Sequence, residues 1–232
     1  MIVLNNLFID KLLDLVVALV QGVILAFIAF YLIDRNGKQL EISRNQSLFG
    51  IKDFLRKGVL PERDKKNLFR EAILIRLCFA NGYNFFCENF LEMESAQKRG
   101  TTIHVLLATP NSDFVNEIDI IEKRIERNKN SVGHDLDEVL RKLSSLCRYP
   151  NFQIRHYNTM YRYSIILGTF KYGPMKAWFN IFLPPKLAID SKMFFAEDTH
   201  DDDNIVANLD EYFESVWNDD KLSTKSAEQV GF

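Results

Sequence analysis

The chain has 232 residues, with 29 basic against 31 acidic side chains and a net charge of -2, so it carries no bulk attraction to nucleic acid or anionic lipid. Beyond an apolar stretch near its N-terminus lie about 200 residues, enough for one ordinary domain with a core and not for two. Nineteen Phe point to a tightly packed sheet domain or to extensive oligomer contacts.

LLDLVVALVQGVILAFIAFYLI, residues 12–33, holds two strongly polar side chains, Asp14 and Gln21. About 20 apolar residues cross a hydrocarbon core of about 30 Å as a helix, so residues 1–34 are expected to be a short tail and a single transmembrane helix. A cleaved signal peptide fits poorly: MIVLNNLFID lacks a basic start, and no small-residue cleavage site follows in YLIDRNGK. Asp10 and Lys11 precede the span, whereas Arg35, Lys38, Arg44, Lys52, Arg56 and Lys57 follow it. The positive-inside tendency then predicts a single-pass inner-membrane protein with its C-terminal domain in the cytoplasm. Ala18, Gly22 and Ala26 recur every four residues as a small-residue face, and Asp14 and Gln21 lie on or beside it. An amide in hydrocarbon needs a partner that one helix does not supply, so self-association through this helix is expected.

Residues 35–67 read as a helical linker, in which IKDFLRKG places Ile51, Phe54 and Leu55 on one side and Pro61 with Glu62 marks a helix start. In residues 68–218 strand and helix patterns alternate. ILIRLCFA (73–80) reads as a buried strand, NFFCENFLEMESAQKRG (84–100) as a helix with a glycine cap, and TIHVLLATP (102–110) as a strand closed by proline. DFVNEIDIIEKRIERN (113–128) and HDLDEVLRKLSSLCRY (134–149) are amphipathic helices. FQIRHYN (152–158), YSIILGTF (163–170) and AWFNIFLP (177–184) are strands, and NIVANLDEYFESVW (204–217) is a closing helix. The stretch 163–185 is apolar enough to suggest a second span, but Lys171, Lys176 and Gly173-Pro174 inside it favour two strands and a turn. This alternation predicts an α/β sandwich with a mostly parallel sheet, and the polar DDKLSTKSAEQVGF (219–232) a disordered tail.

Cys78, Cys87 and Cys147 stand among apolar or aromatic neighbours in no metal-ligand spacing, and read as buried reduced thiols of a reducing compartment. The densest polar-aromatic cluster runs from Arg155 through His156 and Tyr157 to Tyr161, Arg162 and Tyr163. At the C-terminal end of a strand its arginines suit phosphate and its tyrosines suit base stacking, so Arg155, His156, Tyr157, Tyr161 and Arg162 are candidate ligand- or partner-binding residues. The alternative is a loop with packed tyrosines and solvated arginines. His104 alternates with Ile103 and Val105 and reads as a core or sheet-face histidine rather than a catalytic base. AEDTHDDDN (196–204) lacks the oxygen spacing and closing Glu of a calcium loop; it reads as a solvated cap of the last helix, and no metal is expected. EKRIERNKN (122–130) is the candidate nucleic-acid-facing patch, although its interleaved glutamates equally suit an ordinary surface helix. Dinucleotide and P-loop glycine motifs, HExxH and the serine nucleophile elbow are absent, and no cofactor is expected.

The succession GTTIHVLLATP, FQIRHYN, YRYSIILGT and a closing helix ending YFESVW resembles the phospholipase-D-like α/β domains of bacterial regulatory and defence proteins, over roughly residues 68–218. Active members of that superfamily carry a His-x-Lys pair followed by an Asp, which supply the nucleophile and a phosphate clamp. Here His156 is followed by Tyr157 and Asn158, and His104 by Val105 and Leu106. The resemblance therefore implies a recognition module with no catalytic residues rather than an enzyme. With a membrane helix before it, the architecture is similar to that of toxin-like membrane effectors of anti-phage systems, retron effectors above all. It implies a cytoplasmic domain that senses or is held by a reverse transcriptase and its DNA or RNA, and helices that oligomerise to perturb the inner membrane. The alternatives are an effector gated by a cyclic-nucleotide second messenger and a membrane-tethered phosphodiesterase-like hydrolase.

Overall fold

The computed structural model describes residues 50–55, 59–121, 130–158, 163–181, 193–199 and 204–225. The chain divides into two units, Met1–Ser47 and Leu48–Phe232, and every described residue belongs to the second. In chain order the elements are β1 (Ile51–Leu55), α1 (Glu62–Glu71), β2 (Ala72–Phe79), α2 (Tyr83–Lys98), β3 (Thr102–Ala108), α3 (Asp113–Ile121) and α4 (Val132–Leu143). A single 3-10 turn (Ser144–Leu146) leads to β4 (Phe152–Tyr157), β5 (Tyr163–Phe170), β6 (Lys176–Ile181), β7 (Met193–Glu197), α5 (Ile205–Asn218) and β8 (Ser223–Lys225).

Local chemistry accounts for most element ends. Glu62 and Asp64 stand in the first turn of α1 and Arg70 in its last, each complementing the helix dipole. α2 closes as the glycine signal anticipates: Gly100, at φ +92°, donates to the Gln97 carbonyl and Thr101 to that of Ala96. Ser131 caps α4 by accepting from His134 N at 3.1 Å, and Asn204 caps α5 by accepting from Val206 N at 2.8 Å.

The eight strands form one sheet in the order β1-β7-β6-β5-β2-β3-β4-β8. Only β2 with β3 and β3 with β4 are parallel; the other five pairings are antiparallel. The expected mostly parallel sheet is thereby corrected to a mixed, mostly antiparallel one. Parallel neighbours need a crossover of a dozen or more residues, which α2 and then α3 with α4 supply. After β4 no helix intervenes among the described residues until α5, and the short link between β5 and β6 reverses the chain as a hairpin. The apolar stretch 163–185 thus contains two strands and a turn, with the turn at Gly173-Pro174. Two other expectations change: Ile51–Leu55, read as helix, is an edge strand on β7, and Ser223–Lys225, read as disordered tail, is a strand on β4.

No helix among the described residues is long and apolar enough to cross a membrane. The longest of them, α2, has 16 residues with Glu88, Glu92 and Glu94 among them, too short and too charged for a hydrocarbon core. The expected transmembrane helix and single-pass inner-membrane placement are therefore unsupported by any described helix. The stretch 12–33 that suggested them, with Asp14, Ala18, Gln21, Gly22 and Ala26, lies outside the described residues.

Side-chain alternation gives the sheet two different faces. One parity, including Ile75, Leu77, Ile103, Val105, Ile154 and Ile166, faces α1 to α4. Gly168 on this side permits the close approach of α1, since a Cβ there would come within 2.6 Å of Leu68 Cδ1. Trp178 reaches α1 as well, its Nε1 donating to the Asp64 carboxylate at 3.3 Å. The other parity, including Arg76, His104 and Arg155, faces α5.

Candidate functional site

Of the expected binding cluster, Arg155, His156 and Tyr157 are described and lie consecutively in β4, 8%, 8% and 0% exposed. Tyr161 and Arg162 lie outside the described residues. Being adjacent in a strand, Arg155 and His156 point to opposite faces, so they do not form one site. Arg155 Nη2 donates to the Asp220 carboxylate and, at 3.0 Å, to the Ser223 carbonyl, while its guanidinium stands 5.8 Å from the Trp217 ring. Its charge closes the passage from α5 to β8. His156 Nδ1 lies 3.2 Å from the Ala108 carbonyl, and because a carbonyl only accepts, the proton of that bond sits on Nδ1. Tyr157 is packed against Phe114, ring centroids 6.1 Å apart.

The α5 side of the sheet holds a second polar group. Arg76 Nη1 pairs with Asp210 Oδ1 at 2.8 Å, and its Nη2 and Nε reach Glu214 Oε1 at 2.6 and 2.8 Å. Beside it in register, His104 lies flat on Trp217, centroids 4.4 Å apart and planes 10° from parallel. Burial, with the neighbouring Arg76 charge, lowers the His104 pKa, and Glu214 opposes that less strongly. The ring is therefore neutral at neutral pH. Burial raises the Asp210 pKa, and Arg76 only partly offsets it. Sequence reasoning passed over Arg76, Asp210 and Glu214. Their signal was a single cation inside an apolar strand run, ILIRLCFA, with two carboxylates four residues apart on the closing helix.

A third constellation lies between α2 and α4, where Tyr83, Cys87, Glu138, Arg141 and Lys142 line an open groove of about 280 Å³. Tyr83 and Cys87 are one turn apart on α2, and Glu138, Arg141 and Lys142 share a side of α4. Lys142 Nζ donates to the Cys87 carbonyl at 3.4 Å and stands 5.5 Å above the Phe90 ring. Hydrogen bonding to Glu138, and then its negative charge, push the Tyr83 phenol above its ordinary pKa. This groove too was missed, for its residues line up only once the two helices are known to be neighbours.

The remaining candidates are briefly placed. His134 contributes its backbone N–H to the cap of α4. Most of the basic stretch 122–130 and of the acidic loop 200–203 lies outside the described residues, among which no group of three metal-ligating side chains occurs. Cys78 is buried, and Cys87 and Cys147 are half-buried. Burial pushes the Cys78 thiol up to about 12, which leaves it unreactive.

No family model matches the chain, and no curated protein matches it. Among solved structures it is similar in shape to TrmBL2, an archaeal chromatin protein whose structure is described as showing a novel mode of DNA binding. That similarity is 14% in identity with a TM-score of 0.45, and covers 86% of this chain and 65% of the other, less than two thirds of its length.

Proposed function

We propose that the unit Leu48–Phe232 is a non-catalytic recognition module, the part of a defence effector that senses or is held by a partner. The observation that supports this reading best is the state of the two sheet histidines. His156 is 8% exposed with Nδ1 on the Ala108 carbonyl, and His104 is stacked on Trp217 with its Nδ1 buried. A histidine nucleophile or base must meet substrate at an open face, and both of these rings serve packing. The two arginines on the α5 face are likewise held by carboxylates of their own chain. The partner classes in view are a reverse transcriptase with its nucleic acid and a nucleotide second messenger.

The full chain incubated with bis(4-nitrophenyl) phosphate, a generic phosphodiester, should release nitrophenol no faster than buffer. Saturable hydrolysis that disappears in His156→Asn and His104→Gln, both folded by circular dichroism, would overturn the reading in favour of a hydrolase.

A further inference from the structure

We infer that the α2–α4 groove is a binding site for the phosphate group of a small anionic ligand. The inference rests on the reading of this unit as a recognition module and names the chemistry it would recognise. Its basis is the charge left over in the groove. Two cations and one carboxylate line it, and Glu138 already has Tyr83 beside it and Arg141 at 3.7 Å. Lys142 has no carboxylate within salt-bridge distance among the described residues. Its ammonium is instead pinned by two neutral groups, the Cys87 carbonyl at 3.4 Å and the Phe90 ring.

A lysine with three donors that uses one on a carbonyl keeps two for a ligand. Its stem is already half-buried, so part of the side-chain ordering that binding normally costs has been met in advance. Arg141, 80% exposed in its side chain, can exchange its 3.7 Å contact with Glu138 for the same anion as a second, planar clamp. The Tyr83 phenol donates its one O–H to the Glu138 carboxylate, which leaves Lys142 and Arg141 as the donors to a ligand. Two different cationic donors beside about 280 Å³ fit a tetrahedral anion with a small body attached. A cation is disfavoured, since Arg141 and Lys142 face the only carboxylate in the lining.

Cys87 in the wall provides the readout. In the full chain carrying Cys147→Ser, carbamidomethylation of Cys87 by iodoacetamide is followed with inorganic phosphate, adenosine 5′-monophosphate or adenosine added, at matched ionic strength. Buried Cys78 does not compete. Adenosine 5′-monophosphate should slow the reaction at least about fivefold at saturation, and adenosine should leave it unchanged. Lys142→Gln should weaken that protection about tenfold, the loss of one charge-assisted hydrogen bond. Protection by inorganic phosphate equal to that by the nucleotide also supports the site and assigns recognition to the phosphate alone. Three results overturn it: no protection by either phosphate compound at about 10 mM, equal protection by adenosine, or full protection in Lys142→Gln. None depends on hydrolysis, so loss of this site and loss of the non-catalytic reading are separately visible.

Discussion

On the side of the sheet facing α1 to α4, Ile75, Leu77, Ile103, Val105, Ile154 and Ile166 are at most 1% exposed. On the side facing α5, the same three parallel strands present Arg76, His104 and Arg155. The first side is held by apolar burial, which is strong but indifferent to direction. The second also buries apolar groups, Leu106 and Leu167 of the sheet and Val206, Phe213, Val216 and Trp217 of α5, but adds groups that each need a specific partner: Asp210 and Glu214 for Arg76, Trp217 for His104, Asp220 for Arg155. The difference teaches that four helices can be seated by shape while the fifth is seated by shape and charge together. Removing a carbon from one face leaves a cavity, whereas removing a charge from the other strands its partner.

The largest effect is expected on the apolar side. Phe86, fully buried and edge-on to Phe79 and Phe85, should cost about 3–5 kcal/mol when replaced by Ala, read from urea unfolding at 25 °C. A cost under about 1 kcal/mol would show that this face is loosely packed.

On the charged side, Arg76→Ala should cost about 2–3 kcal/mol, less than a fully buried pair because the Glu214 side chain is 35% exposed. The triple variant Arg76→Met, Asp210→Asn, Glu214→Gln removes all three charges together and should stay within about 1 kcal/mol of the parent. A triple variant as damaged as Arg76→Ala, although Met keeps the stem volume, would mean that the loss lies in the ion pairs themselves and not in stranded partners, and the comparison between faces would lose its basis.

The helix caps sharpen the contrast on a smaller scale. Asn204 is fully buried, caps α5 and also donates to Asp198 and Thr199 at 3.0 Å; Asn204→Ala should cost about 2 kcal/mol. Ser131 caps α4 through one exposed bond, and Ser131→Ala should cost about 1 kcal/mol or less. Thermal midpoints of the two variants check the order.

The smallest effect is the pH dependence. The folded pKa of His104 lies below the ordinary 6.5, so on acidification the unfolded chain binds that proton first. His104 therefore removes stability as pH falls through about 6.5 and has no effect at pH 8. Asp210 acts in the opposite sense at lower pH: its folded pKa lies above 3.8, so protonation stabilises the fold as pH falls through that raised value. Urea midpoints between pH 8 and 5.5 should fall in the parent and fall less in His104→Phe, which keeps a ring on Trp217. An unchanged slope would show that His104 is solvated.

Helices and their ends were legible in the amino-acid order because their signals are local. The periodicity of NFFCENFLEMESAQKRG and its closing glycine announce α2, and Lys171, Lys176 and Gly173-Pro174 exclude a second span in favour of a hairpin. IKDFL is too short for its period to separate helix from strand, and it became β1 by pairing with MFFAE some 140 residues on. Ser223–Lys225 is polar throughout and is a strand only because β4 offers a free edge and Ser223 Oγ reaches the Val216 carbonyl at 2.7 Å.

The chain by itself therefore determined the helices and the central strands, and that no His-x-Lys motif follows either sheet histidine. Only the tertiary structure decided strand direction, the seating of α5 on Arg76, and the groove in which Lys142 stands beside Cys87. The last two join residues 138 and 55 positions apart, and pairing at that distance leaves no period in the sequence to read.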